Sequence, residues 1–548
     1  MSYREISRVI GQYLFYFSIL LLIPLCIAAY YEFMADPELH PQPHSTLAFF
    51  FSAIISATLS LCFRVMGARA SGTLYRREAL AIVVMIWFIS ALLGGIPFYL
   101  SKTFENPVDC YFEAMSGLTT TGASVMHPKA FDSETGEEIA YNIKDTWGWK
   151  DPYVFYGTIN PVRDPKTGAE IYRGIEAVGR AVLFWRSFLQ WLGGMGIVVL
   201  FIAVLPALGV GGKVLFQAEV PGPTKDAVTP RIRETAGVLW KLYLGFTIVE
   251  VLLLMYTNEN IDLFNAVAIT FSNLSTGGFS VRNASIGAYE SATTEWIVMS
   301  FMLLGSINFA LYFHCLKGKI YRLYEPEFIA YIVSILIGSL IVIWHLIGIE
   351  KNLLTGETGI FSSGEAIRYG AFHLISAQTS TGYVTANFDA WPSAVQVLML
   401  MVMFVGSMSG STGGGIKIVR HYMLLRIAKN KVESIFRPET VRTLRIGNQE
   451  VDQNVANTVL TFFFIVVSLT ALGTFLLVMD GVDPETSLGI NACMINNIGM
   501  AFRVAGPTGS FAFLSSFGKI LSSIWMVLGR LEFFALLIVL VPAFWRGK

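Results

Sequence analysis

The chain has 548 residues, of which 54% are hydrophobic and 14% charged, and its 39 basic and 39 acidic side chains give no net charge. Soluble domains carry roughly 25% charged residues, so this composition excludes an ordinary soluble fold. A zero net charge also gives no electrostatic footprint for a nucleic-acid partner. The composition therefore favours an integral membrane protein.

A helix needs about 20 apolar residues to cross the hydrocarbon core of a bilayer. Stretches of about this length predict ten spans, namely Leu14–Tyr31, Thr46–Phe63, Ala79–Leu100, Ala181–Leu208, Val238–Met255, Trp296–Cys315, Phe328–Ile349, Ala394–Leu425, Val455–Met479 and Ile520–Phe544. The eighth contains a glycine-rich interruption. An even number of spans places both termini on one side of the membrane.

Lysine and arginine counts in the short loops predict the orientation. One set of loops is basic, and the richest of them runs from Lys417 to Arg445 with eight basic residues, including Arg442. The opposite loops lean acidic, including the long insertion 127–178. We therefore expect the basic loops and both termini to be cytoplasmic. The basic loop is also a candidate docking surface for a regulator, although its charge can equally serve orientation alone.

Four shorter apolar segments lie on the predicted outer side, each of re-entrant rather than spanning length. They are Pro107–Thr119, Leu263–Leu274, Gly364–Thr379 and Thr486–Asn496. Each leads into a cluster with one glycine: Thr120-Thr121-Gly122, Ser275-Thr276-Gly277, Ser380-Thr381-Gly382 and Asn497-Ile498-Gly499. The spacing predicts four helix, pore loop, helix units.

Non-helical backbone at membrane depth is tolerated where it is buried in protein or lines a watery cavity. Four glycine loops can aim main-chain carbonyls at a common axis and replace the hydration shell of a monovalent cation, as potassium filters do. The alternative is close helix packing by small residues. The fourfold occurrence on one side of the membrane favours the filter, and these twelve residues are the predicted ion-binding positions.

A second candidate element is the glycine-rich segment Gly406–Gly415, which includes Gly410, Gly413, Gly414 and Gly415. It resembles a phosphate-binding loop but lacks the required Gly-Lys-Ser/Thr. So many glycines disfavour a helix, and unwound backbone here must line a cavity. The segment is therefore a candidate gate below the filter, or else a static break that allows close helix packing.

Arg530 lies near the middle of the last predicted span, where a charge costs about 2.5 to 3.5 kcal/mol on insertion scales. We expect it to face the pore and to act with the glycine-rich segment. The alternative is a buried ion pair, for example with Glu250. An enzyme is not expected, because no nucleophile, base or metal cluster stands out. A secondary symporter that couples potassium to protons or sodium is the alternative function.

Several motifs, spread over nearly the whole chain, resemble the TrkH branch of the TrkH/KtrB superfamily of potassium-uptake subunits. They are Phe112–Gly122, Trp185–Gly196, Ala218–Lys225, Ser275–Ser280, Gly410–Lys417 and Gly529–Glu532. The resemblance implies a bacterial inner-membrane homodimer with one pore per subunit and a cytosolic, nucleotide-binding, TrkA-like regulator. It also implies potassium as the transported ion, lipid surroundings, and no organic cofactor in this chain.

The predicted fold is all-α and polytopic, with four pseudo-symmetric pore repeats preceded by two extra transmembrane helices. The expected divisions are 1–78 for the extra helices, then 79–212, 213–318, 319–450 and 451–548 for the repeats. The insertion 127–178 belongs to the first repeat, and its tryptophans and glycines suggest an ordered external cap.

Overall fold

The computed structural model describes residues 2–35, 44–70, 74–132, 134–144, 152–164, 166–196, 232–437, 444–446, 449–451 and 453–546. Helices dominate these residues, and their strands pair as two-stranded antiparallel hairpins. The first-half helices are α1 Tyr3–Leu20, α2 Leu22–Phe33, α3 Ser45–Met66, α4 Arg76–Leu100, α5 Pro107–Leu118, α6 Arg180–Gly194, α7 Ile232–Thr257 and α8 Leu263–Leu274. The second-half helices are α9 Ala292–Ser306, α10 Phe309–Leu316, α11 Pro326–Leu346, α12 Ser363–Gln378, α13 Ser393–Met403, α14 Ile418–Phe436, α15 Gln453–Met479, α16 Pro484–Asn496, α17 Ser516–Arg530, α18 Phe534–Leu540 and α19 Pro542–Trp545.

Six helical stretches in the described residues are long and apolar enough to cross a membrane. They are Tyr3–Phe33, Ser45–Met66, Arg77–Leu100, Gly237–Thr257, Pro326–Leu346 and Gln453–Met479. All six coincide with predicted spans, which confirms a multi-pass membrane protein. The eighth predicted span is interrupted between α13 and α14, as its glycines indicated. Within the fourth predicted span, Ala181–Leu208, the helix α6 ends at Gly194, and residues 197–208 lie outside the described residues.

The predicted span from Trp296 to Cys315 is not one straight helix. The helices α9 and α10 meet there at a bend of 93°. The side chain of Asn308 accepts a hydrogen bond from Ala310 N and so starts a new helix. The main-chain N–H of Phe309 donates to Gly410 O in the glycine-rich segment. The start of α10 is therefore held partly by its own cap and partly by a contact with a segment far along the chain.

The last predicted span is also broken. The helix α17 ends at Arg530, and Glu532 and Phe533 have φ of 52° and 65°, in the left-handed region that non-glycine residues seldom adopt. Arg530 therefore lies at a helix C-terminus and not at mid-helix. A cation is favourable there because the main-chain carbonyls of the last turn carry partial negative charge.

Four short helices, α5, α8, α12 and α16, end at the four glycine loops, as predicted from the sequence. Each begins at a polar residue whose side chain accepts a hydrogen bond from an N–H of the first turn. These caps are Asn106, Asp262, Ser362 and Asp483. Such caps satisfy N–H groups that a helix start leaves unpaired. The starts of the four helices are therefore encoded locally.

The insertion 127–178 forms three hairpins in its described residues. They pair β1 Ala130–Phe131 with β2 Glu138–Ile139, β3 Tyr141–Ile143 with β4 Tyr153–Phe155, and β5 Val162–Arg163 with β6 Glu170–Tyr172. The hydroxyl of Tyr153 donates to Asp483 Oδ2 over 2.7 Å and accepts from Asp483 N over 2.7 Å. This hairpin is thereby fixed to the start of α16, so the described part of the insertion is ordered.

Two further hairpins lie outside the insertion in the part of the chain that the structure describes. They pair β7 Glu350–Asn352 with β8 Thr358–Ile360, and β9 Leu444–Ile446 with β10 Gln449–Val451. The first is anchored by Lys351, whose ammonium group contacts Glu357 at 2.5 Å and Glu365 at 2.7 Å. Because Glu365 also completes the capping box of α12, the hairpin is tied to the start of that helix.

Candidate functional site

The first three glycine loops touch one another through their main chains. A Cβ atom built on Gly122 would lie 2.0 Å from Gly277 O, and one built on Gly278 would lie 1.9 Å from Thr381 O. Both distances are far below van der Waals contact. Only glycine therefore fits where the first loop meets the second and where the second meets the third.

The fourth loop completes the arrangement. A Cβ atom on Gly382 would lie 2.5 Å from Gly499 N, and one on Gly499 would lie 3.1 Å from the carbonyl carbon of Gly122. The four loops therefore follow each other in chain order, and the fourth returns to the first. They surround a common axis.

The four loops share one backbone course. The first residue of each turn has positive φ, at 55° in Thr120, 54° in Thr276, 60° in Ser380 and 52° in Asn497. We call the four short helices that lead into the loops, α5, α8, α12 and α16, the pore helices. The next residue of each loop donates its N–H to a carbonyl of the preceding pore helix: Thr121 to Ser116, Gly277 to Ser272, Thr381 to Ser376 and Ile498 to Cys493. These equivalences fix the register between the loops.

In this register, Gly278 is the equivalent of Gly122, Gly382 and Gly499. Its φ of 72° matches 80° in Gly122 and 83° in Gly382. The alignment of Gly277 with the other glycines was therefore wrong by one residue. We call Gly122, Gly278, Gly382 and Gly499 the glycine ring. These four residues are partly exposed, whereas the residues just before them are buried, so the ring borders the space between the loops.

The other predicted filter residues lie next to the ring, and their side chains are buried. Three carbonyl groups among them already accept side-chain hydrogen bonds within the protein, one of them Ser275 O, which accepts from Thr276 Oγ1 over 2.7 Å. Gly277 O accepts from Gln190 Nε2 over 2.7 Å, and Ile498 O accepts from the thiol of Cys493. The twelve predicted positions are thus not equivalent in their main-chain contacts.

The glycine-rich segment Gly406–Gly415 contacts the loops from one side. Thr412 Oγ1 donates to Leu274 O over 2.9 Å, at the end of the second pore helix. Gly414 N donates to Ser380 Oγ over 2.7 Å in the third loop. A Cβ atom on Gly414 would lie 2.7 Å from Asn496 O in the fourth repeat. The structure thus brings the predicted gate segment directly against the glycine loops.

Other glycines of the segment are also closely packed. A Cβ atom would lie 2.6 Å from Ile416 O at Gly406, 2.8 Å from Asn308 Oδ1 at Gly410, and 2.2 Å from Ser407 Oγ at Gly413. Gly415 has φ of 74°. The segment is therefore folded back on itself and fitted against the break between α9 and α10.

Arg530 joins the first repeat to the glycine-rich segment. Its guanidinium group donates to Thr120 Oγ1 over 3.2 Å and to Thr412 O over 2.8 Å. It also donates to Gly193 O over 2.5 Å and to Gly194 O over 3.0 Å at the end of α6. The alternative of an ion pair with Glu250 was wrong, because Glu250 contacts Asn273 at 2.6 Å and forms no ion pair among the described residues.

A second set of charged groups contacts the glycine-rich segment and the residues that follow it. Arg420 on α14 forms an ion pair with Glu532, in the turn after Arg530. Lys417 donates to Gly413 O, and Ser409 N donates to Glu327 Oε1 over 2.7 Å. The segment is therefore fastened at both ends to charged side chains of neighbouring helices.

Sequence reasoning assigned no role to a buried ion pair behind the loops, Arg186 Nε to Glu113 Oε1 at 2.5 Å. Arg186 is 2% exposed and Glu113 is fully buried. The available signal was an arginine within an apolar helix, which in a membrane protein is a functional candidate by default.

Comparisons with known proteins place this arrangement in a family. The sequence profile of the TrkH family, described as a cation transport protein, matches residues 163–546. The chain is 31% identical over 548 residues to the Trk system potassium uptake protein TrkH of Halomonas elongata, with 100% of each covered. It is 30% identical over 553 residues to the same-named protein of Escherichia coli K12, again with 100% of each covered.

The crystal structure of the potassium transporter TrkH from Vibrio parahaemolyticus aligns with a TM-score of 0.77 at 28% identity and covers 100% of both chains. It confirms the predicted fold class. The family is one of transport proteins and not of enzymes, as the sequence indicated. The chain therefore belongs to the TrkH family of cation transport proteins.

Proposed function

We propose that the chain is the potassium-translocating subunit of a bacterial Trk-type uptake system. Its full-length relatives carry the name of potassium uptake proteins. The observation that carries the proposal is the closed sequence of contacts through the glycine ring, in which the backbone of each loop abuts the next. Such an arrangement presents main-chain dipoles to an axis without any charged side chain at the glycine positions.

The proposed filter consists of the three residues predicted in each loop, with Gly278 added in the second. Main-chain carbonyls there replace the water shell of a dehydrated potassium ion. Because Gly277 O and Ile498 O accept hydrogen bonds from side chains, the second and fourth loops are braced at these positions. The transported potassium ion is the substrate, and the proposal includes no organic cofactor.

The proposed gate consists of the glycine-rich segment and Arg530. The segment contacts the second, third and fourth repeats, and Arg530 contacts the first, so the two together touch all four. A segment in this position obstructs the path when it is seated and frees it when it withdraws. A fixed positive charge on the same path adds an electrostatic barrier to cations.

The assembly that we propose follows the family resemblance. It is a homodimer in the bacterial inner membrane, with both termini cytoplasmic and a nucleotide-binding TrkA-like regulator on that side. The basic loop from Lys417 to Arg445 is the proposed docking surface. Its residues 438–443, including Arg442, lie outside the described residues. Loss of salt-dependent regulator binding in correctly inserted, charge-neutral variants of this loop is the expected result, because charged rims steer association.

Purified protein in planar bilayers tests the function. Unitary potassium currents that persist without a proton or sodium gradient are expected of an open pore. Potassium uptake that requires such a gradient and shows no unitary events would favour the symporter and contradict the proposed channel. Growth of an uptake-deficient bacterium on low potassium, with and without added sodium, is the parallel test in cells.

A further inference from the structure

Two polar side chains of α6 lie one helical turn apart behind the second glycine loop. Arg186 is 2% exposed and Gln190 is fully buried. Residues four apart lie on the same helix face. Both side chains point at the second loop, and neither belongs to the filter or the gate proposed above.

Arg186 links the outer ends of the first and second loops. Its Nη1 donates to Ser280 O over 2.7 Å, two residues beyond Gly278. The guanidinium carbon also lies 3.7 Å from the centre of the Phe279 ring. Its Nε contacts Glu113 on the first pore helix. The guanidinium group is thus engaged on one face, by the ring of Phe279, and along its edge, by Ser280 and Glu113.

Glu113 carries the link into the first loop. Its two carboxylate oxygens accept from Ser124 Oγ and from Val125 N, each over 2.9 Å. These residues directly follow the first filter loop. The chain of contacts from Ser124 through Glu113 and Arg186 to Ser280 therefore fixes the distance between two neighbouring loop exits.

The side chain of Gln190 forms two hydrogen bonds with the middle of the second loop. Its Nε2 donates to Gly277 O over 2.7 Å and its Oε1 accepts from Phe279 N over 3.1 Å. The amide of glutamine carries its donor and its acceptor on separate atoms, so it can hold two main-chain groups of one loop. The carbonyl that it holds is also the one that would clash with a Cβ on Gly122. A shift of Gln190 therefore moves the boundary between the first and second loops.

A buried ion pair is weak evidence for stability, because desolvation offsets the attraction between its members. Its clearer effect here is geometric. We propose that Arg186 and Gln190 are positioning residues that set the spacing between the first and second loops and thereby select among monovalent cations. This inference rests on the proposed function, because it concerns the selectivity of the same pore.

The test uses two substitutions of similar size, Gln190→Glu, which loses the donor, and Gln190→Leu, which loses donor and acceptor. The reconstituted variants should keep potassium flux but lose discrimination between potassium and sodium, by roughly fivefold for a lost buried hydrogen bond. The matched control is Gln378→Leu. Gln378 is equally buried, but its amide contacts Ser334 on α11 at 2.5 Å and not a glycine loop.

A second arm uses Arg186→Lys, which keeps the charge but cannot bridge Glu113 and Ser280 with a planar fork. Selectivity should fall in this variant and remain low in Arg186→Lys combined with Glu113→Gln.

If Gln190→Leu fails to fold, the isosteric Gln190→Glu carries the test. Unchanged selectivity in Gln190→Glu with normal potassium flux would overturn the inference. Absence of potassium flux in the unaltered protein would instead overturn the proposed function itself.

Discussion

Arg530 and Thr412 meet over 2.8 Å, with the guanidinium group at the end of α17 donating to the main-chain oxygen of the glycine-rich segment. The same guanidinium group reaches the hydroxyl of Thr120 in the first loop. Because a cationic donor contributes about 1.5 to 3 kcal/mol per hydrogen bond, this residue has a large effect on where the segment rests.

The substitution Arg530→Ala should therefore raise potassium flux in the absence of a regulator. Loss of one such bond changes a closed-to-open ratio by roughly tenfold or more. Flux into liposomes and thermal stability are measured together, with Arg530→Lys as the control that keeps the charge. An unstable protein without extra flux would contradict the gate and indicate a purely structural arginine.

The register of the second loop predicts a difference between two adjacent glycines. Gly278→Ser adds a Cβ at positive φ, 1.9 Å from the main-chain oxygen of Thr381, whereas Gly277→Ser adds one at a position without positive φ, 2.5 Å from the side chain of Gln190. Left-handed strain costs about 1 to 2 kcal/mol, so Gly278→Ser should reduce potassium over sodium selectivity roughly 5- to 30-fold.

The substitution Gly277→Ser should weaken selectivity less. Permeability ratios of the two variants in liposomes provide the comparison. An equal or larger loss in Gly277→Ser would show that the register inferred from the backbone does not govern ion selection.

The ion pair between Arg420 and Glu532 predicts a coupling between the exit of the glycine-rich segment and the turn after Arg530. Both side chains are largely buried, at 8% and 15% exposure. Removing one partner of a buried pair costs about 3 to 5 kcal/mol, so Glu532→Gln should destabilise the protein and raise basal flux. The combined variant Arg420→Met and Glu532→Gln should recover part of the stability, and a strictly additive loss would argue against the pairing.

The raised pKa of Asp389 predicts a pH dependence of stability. Burial raises the pKa of this carboxyl to about 6, although Arg503 N donates to Asp389 Oδ2 over 2.8 Å. A carboxyl with a raised pKa takes up a proton on folding, so its contribution is largest below about pH 4 and is lost as the pH rises through about 6.

The melting temperature of the unaltered protein should therefore fall between pH 5 and 7.5 by more than that of Asp389→Asn. Glu259→Gln, at an exposed position, is the control for loss of one negative charge. Parallel pH profiles for the unaltered protein and Asp389→Asn would contradict the assignment.

The contacts of Tyr153 predict a structural role for the insertion 127–178. Its hydroxyl both donates to and accepts from Asp483 at the start of α16. The substitution Tyr153→Phe leaves a buried N–H and carboxylate without this partner, which costs about 1 to 3 kcal/mol. A lower melting temperature is expected, with Tyr156→Phe, at an exposed position, as the control. An unchanged melting temperature would show that the hairpin is held by other contacts.

The six spanning helices were predictable because each is a long apolar run of consecutive residues. The four short pore helices were predictable because each is a shorter apolar run that ends at a glycine loop. The bend at Ile307–Asn308 was not predicted, although the run from Trp296 to Cys315 contains a local signal for it, the helix-capping residue Asn308. A second contact at the bend, the donation from Phe309 N to Gly410 O, joins residues about one hundred positions apart, and no local pattern reveals it.

The candidate site was predictable to the level of the loops but not to every residue. Two adjacent glycines, Gly277 and Gly278, left the register open, and only the positive φ of Thr276 and Gly278 fixes it. The contacts of Arg186 and Gln190 with the second loop depend on which face of α6 is turned toward that loop. A single sequence carries no direct information on that rotation.

The glycine ring is built from four segments of one polypeptide, and the second, third and fourth differ in sequence from the first. In a pore made of four identical subunits, every substitution is present four times. Here one codon change alters a single quarter of the ring, together with its contacts to the two adjoining loops. The number of altered quarters can therefore be set from one to four within a single gene, which makes the dose of a pore mutation an experimental variable.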